Sequence, residues 1–365
     1  MSMKNGLRRL HRWVGLTVGG FLLLLGLTGI VLSFYVEIDA LSHPSLRAVP
    51  DQTIPASYEA VYQTLRHAEP DRTGRWRIEV PKTGGVISAR YYKPVETEDR
   101  AFAPLIVWVD PTRMEVVRSA LWGRFFVTFV YDLHYHLLID GPGKVVIASV
   151  GLIGVGLILS GLWLWWPRKG RLKASLKIHQ PFHWTRTPFE WHRLLGVVGA
   201  AFLLIFCVTG SLLAAPEWFR PGLNALAPTF KAPDLTPYAQ VPMRISVDQA
   251  MKVASDVFPT ARIRWIETPG KGAGTYRIIM AQRFEPSQRF PRTTVWLRAD
   301  TGEVIATRNP AHDSASDIIL NWLHPLHTGE AFGIIGRLVV MFAGLFPIFL
   351  FATGLTRYLI WRRNA

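Results

Sequence analysis

Hydrophobic positions along the chain follow two different rhythms. In four places they form nearly unbroken runs, near residues 13–35, 145–166, 194–215 and 338–360. Each run approaches or exceeds the roughly 20 residues that a helix needs to cross the hydrocarbon layer of a bilayer, so four membrane-spanning helices are predicted. Elsewhere the apolar positions are spaced. Val247, Ala250, Met251, Val253, Ala254 and Val257 recur at helical intervals and predict an amphipathic helix over 246–259, with a counterpart over 55–70. Short β-rich stretches follow each helix, at 76–80, 86–92 and 105–109 and again at 262–266, 276–281 and 294–298. Two small α+β modules are therefore expected between the runs.

Parts of this pattern repeat. Leu10-His11-Arg12-Trp13-Val14-Gly15 is followed by Thr28-Gly29, and Trp191-His192-Arg193-Leu194-Leu195-Gly196 reaches Thr209-Gly210 after the same interval. A second match sets Leu133-His134, Gly143-Lys144, Gly151 and Ser160-Gly161-Leu162 against Leu326-His327, Gly336-Arg337, Gly344 and Thr353-Gly354-Leu355, again without a gap. Val107-Trp108-Val109 and Val295-Trp296-Leu297 extend the likeness into the modules. Apolar segments match by chance at Leu and Val; His, Gly and basic positions kept in register point to an ancient duplication. The predicted fold is an integral membrane α-helical protein with four transmembrane helices in two pseudo-symmetric halves, plus two periplasmic α+β modules. Its expected segments are the first span (1–36), module 1 (37–130), a histidine segment with the second span (131–167), a cytoplasmic loop (168–190), the third span (191–215), module 2 (216–322), and a histidine segment with the fourth span (323–365).

Composition agrees: 49% of residues are hydrophobic and mean hydropathy is +0.19, high for a soluble domain yet diluted by polar stretches. The net charge of +15 adds direction. Lys4, Arg8, Arg9 and Arg12 precede the first run, Arg168, Lys169, Arg171, Lys173 and Lys177 follow the second, and Arg357, Arg362 and Arg363 close the fourth. Positively charged ends stay inside, which predicts a multi-pass bacterial inner-membrane protein with both termini cytoplasmic and both modules in the periplasm. The same residues suit contact with anionic membrane lipid, and they lack the aromatic and glycine-rich setting of a nucleic-acid groove, so nucleic acid is not an expected partner. The first run is longer than a signal-peptide core and no A-x-A-like site follows it closely, so it reads as an uncleaved anchor. The single cysteine, Cys207, lies in the third run. That excludes a disulfide framework, a C-x-x-C-H site for covalent haem, and a Cys-ligated iron–sulfur or zinc site.

The repeat sets four histidines at span ends. His11 and His192 open the first and third runs on the cytoplasmic side, while His134 and His327 precede the second and fourth on the periplasmic side. A lone histidine at an interface is more often a hydrogen-bonding residue than a ligand. Repetition in register on both faces reverses that balance, and paired imidazoles at helix ends are a means of holding b-type haem. Two haem b per chain are predicted, with His11 and His192 as axial iron ligands of one and His134 and His327 of the other. His136 and His324 are alternative periplasmic ligands, or donors to a propionate or a substrate. Arg8, Arg12 and Arg193 on one face, and Lys144 and Arg337 on the other, are candidate propionate partners, with Trp13, Trp191, Phe125 and Phe126 along the porphyrin edges. The four small-residue steps are read as permitting close helix approach, or as room for a flat macrocycle. His179 and His183 flank Pro181 in a basic loop and read as a solvated pair, and His43, His67 and His312 as surface residues. Trp163, Trp165 and Trp166 read as an interfacial belt.

These motifs carry a family resemblance. The L-H-R-W-V-G at His11, the G-L-W-L-W-W-P-R from Gly161 to Arg168, the W-H-R-L-L-G at His192 and the L-H-P-L-H-T-G-E-A-F-G from Leu323 to Gly333 resemble the PepSY-associated transmembrane-helix proteins, iron-regulated membrane proteins of bacteria. The resemblance covers nearly the whole chain and is strongest for the inner-membrane di-haem siderophore reductases. It implies that the two modules are PepSY-like, that His11, His192, His134 and His327 bind haem, and that the substrate is a periplasmic ferric siderophore, such as a ferrioxamine-type hydroxamate. His324 belongs to the same H-P-L-H motif, which leaves the choice of periplasmic ligand open.

The implied chemistry is coherent. A hydroxamate cage holds Fe(III) far more tightly than Fe(II), so one delivered electron loosens the metal and the reaction needs no nucleophile or acid–base dyad. About 30 Å of hydrocarbon separates the two faces, so electron transfer between them requires macrocycles that reach inward or aromatic residues in between. The loop at 168–190 is too short for a nucleotide domain, and no G-x-G-x-x-G follows a predicted strand. The electron donor is therefore expected to be external, a quinol or a cytoplasmic flavin or NAD(P)H reductase. Other readings are a quinol-linked b-type cytochrome serving another acceptor, a haem-binding transporter or sensor, and a protease-regulating protein whose helices are only anchors.

Overall fold

Uninterrupted apolar sequence gives the longest helices. The computed structural model describes residues 3–47, 49 and 54–363. Among them, α1 (Met3–Leu32), α4 (Asp140–Trp165), α5 (Thr187–Ala214) and the segment Glu330–Arg363 are long and apolar enough to cross a membrane. Between 11% and 39% of each span's most apolar stretch is buried within the protein, leaving large apolar side chains such as Ile153, Leu159, Val198, Ile335 and Phe349 exposed. Lipid contact accounts for such a surface. The helices start earlier than the apolar runs because Lys, Arg and Glu are good helix formers and prolong them into polar sequence. The last span breaks at Gly344 into α8 (Gly333–Ala343) and α9 (Leu345–Arg363). Pro347, one turn into α9, has no N–H to return to the preceding turn.

His134 and His327 lie on short helices of their own, α3 (Phe126–His136) and α7 (Ala315–Thr328), ahead of the spans. The chain folds into two compact units. One comprises Met1–Phe34, Val130–Arg220 and Leu326–Ala365, and the other Tyr35–Phe129 and Pro221–Pro325.

The second unit is built on one eight-stranded antiparallel sheet, ordered β4-β3-β2-β1-β5-β6-β7-β8. Its strands are β1 (Trp76–Glu79), β2 (Ile87–Tyr91), β3 (Leu105–Asp110), β4 (Glu115–Leu121), β5 (Arg262–Glu267), β6 (Thr275–Ala281), β7 (Thr293–Arg298) and β8 (Val304–Arg308). The two stretches expected to form separate modules thus share a sheet, joined where Ile78 pairs with Ile266 and Glu79 with Trp265. Pairing β1 with β5 removes an edge from each meander, and open edges invite unwanted association. The outermost strands β4 and β8 escape a reading of hydrophobic pattern, because EVVRSAL and VIATR mix charge with apolar residues and alternate weakly.

Alternation along the strands sorts the side chains onto two faces. Trp76, Ile78, Ile87, Val107, Ile266, Tyr276, Ile278 and Leu297 pack with α2 (Tyr58–Ala68) and α6 (Val247–Val257) into the core of this unit. The helices bind each other's ends. Tyr58 N–H donates to Asp248 Oδ1 (2.9 Å), Ser57 Oγ donates to Asp248 Oδ2, and Val247 N–H donates to Glu59 Oε2 (2.7 Å). Each acidic residue in a first turn therefore satisfies orphan N–H groups at the start of the other helix.

The opposite face carries arginines against tryptophans, with Arg77 over Trp265 (4.5 Å), Arg118 over Trp108 (4.4 Å) and Arg277 over Trp296 (5.6 Å). Glu79 lies among them. Burial alone would raise its carboxyl, but Arg289 at 3.5 Å, the Ser88 hydroxyl at 2.7 Å and the charges of Arg90 and Arg264 outweigh it and hold Glu79 below the usual carboxylate range.

Two outcomes are expected. Asp248→Ala strips acceptors from the start of α2 and should destabilise this unit by about 1–3 kcal/mol, read from thermal or denaturant unfolding. A carboxylate held low in the folded state contributes stability above its unfolded value of about 4.3 and loses it as pH falls through the folded value. Glu79→Gln should therefore lower stability above about pH 5, where the carboxylate contributes, and flatten the acid limb of stability below it.

Candidate functional site

The four histidines of the repeat come together in two pairs. His11 on α1 faces His192 on α5, ring centroids 6.4 Å apart and planes at 88°. His134 on α3 faces His327 on α7 at 6.3 Å and 61°. The pairing is the one expected from the register of the repeat.

Each imidazole is held at Nδ1 by a hydroxyl from another helix. His11 meets Ser160 on α4 (2.8 Å), His192 meets Thr353 on α9 (3.0 Å), His134 meets Thr28 on α1 (2.8 Å) and His327 meets Thr209 on α5 (2.8 Å). The glycine after each hydroxyl residue lies against the same ring. A Cβ added at Gly161, Gly354, Gly29 or Gly210 would sit 3.1–3.5 Å from the facing Cε1. Helices α1 and α5 thus give a histidine to one pair and a hydroxyl to the other.

Segments ahead of the second and fourth spans aim the second pair. After α3 the backbone turns through Leu137, Leu138 and Asp140, all at positive φ (53°, 62° and 52°), at a cost of roughly 1–2 kcal/mol each for a residue with a Cβ. His136 holds this turn. It is buried, its Nδ1 accepts from Asp140 N–H (3.2 Å), and its Nε2 lies 3.2 Å from Asp132 Oδ1. Both ring nitrogens are thereby occupied within the turn, and His136 does not join the facing pair. After α7, Gly329 and Gly333 take the positive-φ positions (76° and 61°). In both turns the chain folds back so closely that a Cβ on Gly143 or Gly336 would overlap the carbonyl of His136 or Gly329.

The other sequence candidates have other partners. His324 packs edge-on against Phe290 (5.4 Å, 88°) in the sheet unit. Arg12 stacks over Trp361 (4.3 Å), and Arg193 donates to Lys177 O (3.0 Å) and approaches Phe189 (5.7 Å). Lys144 lies over Tyr135 (4.8 Å), and Arg337 donates to Ser33 O (2.8 Å) above the Phe34 ring (4.4 Å). Arg8 donates weakly to Asn5 Oδ1 (3.4 Å). Among the described residues, no ion pair links Arg12, Arg193 or Lys144 to a carboxylate. His179 and His183 are exposed, as expected, but His179 also has a structural partner: its Nδ1 lies 2.7 Å from the buried Glu190, which accepts its backbone N–H (3.0 Å) and ties the loop to α5.

Aromatic residues occupy the interval between the pairs. Phe206 stands edge-on to His327 (5.8 Å, 80°), and one turn away Phe202 stacks on Phe346 (6.2 Å, 12°). Gly199 makes space for Phe346, whose ring would lie 2.6 Å from an added Cβ. The sequence offers these phenylalanines only as part of apolar runs.

The donor set can be tested against haem. Among the described residues no group of three or more His, Cys, Asp and Glu is placed to hold a metal ion. A free ion of the zinc type asks its protein for three or four ligands, whereas iron in a porphyrin asks for two axial ones. Two imidazoles on opposite sides of one metal, each bonded at about 2 Å, have centroids about 6 Å apart, as both pairs do. An Nδ1 engaged by an outer partner leaves Nε2 as the coordinating nitrogen. The residues present fit haem at both pairs.

Fold and site together give four helices long and apolar enough to cross a membrane, two facing imidazole pairs and a separate antiparallel sheet. The chain belongs to the PepSY-associated TM region family, whose model matches residues 8–363. No curated protein matches the chain.

Proposed function

We propose that the protein is an inner-membrane oxidoreductase that carries two b-type haems and passes electrons across the membrane to a periplasmic ferric siderophore, releasing iron as Fe(II). The observation that carries this reading is the presence of two facing histidine pairs, served by opposite ends of the same two helices. Bound haem would supply a one-electron Fe(III)/Fe(II) couple at each pair. His11 with His192, and His134 with His327, would hold the two groups, and a second imidazole at each would keep small ligands off the metal. Arg12 and Arg193 beside the first pair, and Lys144 and Arg337 on the segments beside the second, offer cations to propionates. Phe206, beside His327, and the stacked Phe202 and Phe346 place aromatic rings in the interval between the pairs.

The siderophore as acceptor rests on the motif resemblance and on iron chemistry. Oxygen donors that suit the small, hard Fe(III) ion release Fe(II), so reduction and release are one event. The distribution of Lys and Arg supports cytoplasmic termini, a cytoplasmic donor side at His11 and His192, and an acceptor side at His134 and His327. A quinol or a separate flavin or NAD(P)H reductase would supply the electrons. A quinol-linked cytochrome serving another acceptor is the runner-up, and only acceptor specificity separates the two.

Purified protein should contain about two haem b per chain by pyridine haemochrome assay. Reduced protein should be reoxidised anaerobically by ferrioxamine as a ferrous trap takes up iron. Reduced haem that ferrioxamine leaves untouched would favour the runner-up, and colourless protein from haem-replete cells would overturn the redox reading. His11→Ala or His192→Ala should each remove one haem and His134→Ala or His327→Ala the other, whereas His136→Ala should retain a ligand pair at both.

A further inference from the structure

The four hydroxyl–glycine steps show a recurring contact that haem ligation alone does not explain. A hydroxyl has one proton to give and two lone pairs to offer. In each step the hydroxyl already reaches a carbonyl of its own helix: Thr28 Oγ1 to Leu24 O (2.8 Å), Ser160 Oγ to Leu157 O (2.7 Å), Thr209 Oγ1 to Ile205 O (2.6 Å) and Thr353 Oγ1 to Phe349 O (2.7 Å). With that proton placed in its own helix, the contact to the facing Nδ1 needs a proton from the ring. His192 makes this explicit, because its Nδ1 also lies 3.1 Å from Leu350 O, an atom that can only accept. Leu350 stands three residues before Thr353.

We propose that Thr28, Ser160, Thr209 and Thr353 are positioning residues that hold each facing histidine as its neutral Nδ1–H tautomer, while Gly29, Gly161, Gly210 and Gly354 set the tilt of the ring. This inference rests on the haem reading and deepens it. The lone pair is left on Nε2, where an axial ligand needs it. A carboxylate partner would pull the Nδ1 proton and make the ring a stronger donor. A hydroxyl whose own proton is placed in its helix, backed at His192 by the Leu350 carbonyl, leaves the imidazole neutral and would leave oxidised iron less stabilised. Each glycine faces Cε1, the ring atom between the two nitrogens; a methyl added at Gly161 or Gly210 would stand 3.1 or 3.3 Å from it and press the ring aside, while at Gly354 or Gly29 it would close the remaining space to contact. Along α1 and α5, His11 to Thr28 and His192 to Thr209 span about 25 Å of helix, so one rigid element fixes a ligand at one site and a tautomer at the other.

Thr209→Val keeps the shape and removes the acceptor, and Thr209→Ser keeps the acceptor. Loss of an outer-shell partner costs about 10- to 100-fold in metal affinity. In purified Thr209→Val, transfer of one of the two haems to apomyoglobin should accelerate at least about tenfold, and one of two redox waves should move. That wave should be the one retained in His11→Ala, and Thr209→Ser should restore both readings. Thr353→Val should act on the other wave. Should Thr209→Val not fold, Gly210→Ala tests the same contact, since its methyl would lie 3.3 Å from His327 Cε1, and a changed low-spin electron paramagnetic resonance signal at one haem is expected. Two haems with wild-type release, potentials and spectra in these variants would overturn the inference and leave the proposed function standing. Wild-type protein without haem would overturn the function itself.

Discussion

An imidazole placed within an apolar helix bundle has to find partners for its polar edge, and the membrane unit is organised around that requirement. Water cannot satisfy a ring nitrogen there, and an unmet polar group costs several kcal/mol. The chain answers by drawing each hydroxyl from a helix other than the one that carries the histidine. Each ring therefore locks two helices together, and the four contacts tie α1 to α4 and to the end of α3, and α5 to α9 and to the end of α7. Packing between spans follows a similar pattern, with the Ser211 hydroxyl of α5 set between Ala148 O of α4 (2.9 Å) and Cys207 O of its own helix (2.8 Å). Hydrogen bonds of this kind fix helix register, which apolar contact with lipid-like side chains leaves undetermined.

Much of this is legible in the sequence because small, polar and cyclic residues keep their positions for geometric reasons. The equal interval from His11 to Thr28 and from His192 to Thr209 can be read directly, and it is the interval along α1 and α5 between a ligand and a hydroxyl. The roles are less legible than the positions. Thr28-Gly29 and its counterparts read in sequence as room for close approach, whereas each addresses an imidazole on another helix. His136 stands in the sequence as a rival to His134, which alone matches His327 in the repeat, and its bonds to Asp132 and Asp140 account for its place outside the pair. The second left-handed turn announces itself through Gly329 and Gly333, while the first hides in Leu137, Leu138 and Asp140. In the sheet unit, strands with a buried face are plain and the outer strands are not, since β4 and β8 lack the alternation that a fully covered strand enforces. Merging of the modules depends on β1 meeting β5, a pairing with no local signature.

Arginine is suited to the second face of the sheet for reasons that lysine would not meet. Arg77, Arg118 and Arg277 lay planar guanidinium groups on tryptophan rings while still reaching a tyrosine or carboxylate. Such groups keep their charge when partly buried and hold a fixed orientation. The face is consequently stiff as well as cationic.

The mutual capping of α2 and α6 sets a constraint on how the protein is made. Residues that begin α2 and line β1 are synthesised long before those that begin α6 and line β5, with the second and third spans lying between them in the chain. Until the later segment arrives, the earlier one has an unpaired strand edge at Trp76–Glu79 and a helix start without its acidic partner. Contacts this far apart in sequence form slowly, and exposed edges in waiting intermediates are prone to misassociation. The sheet unit can therefore be completed only once the chain has been made through β8 at Arg308, after three of its four long apolar helices and before the last.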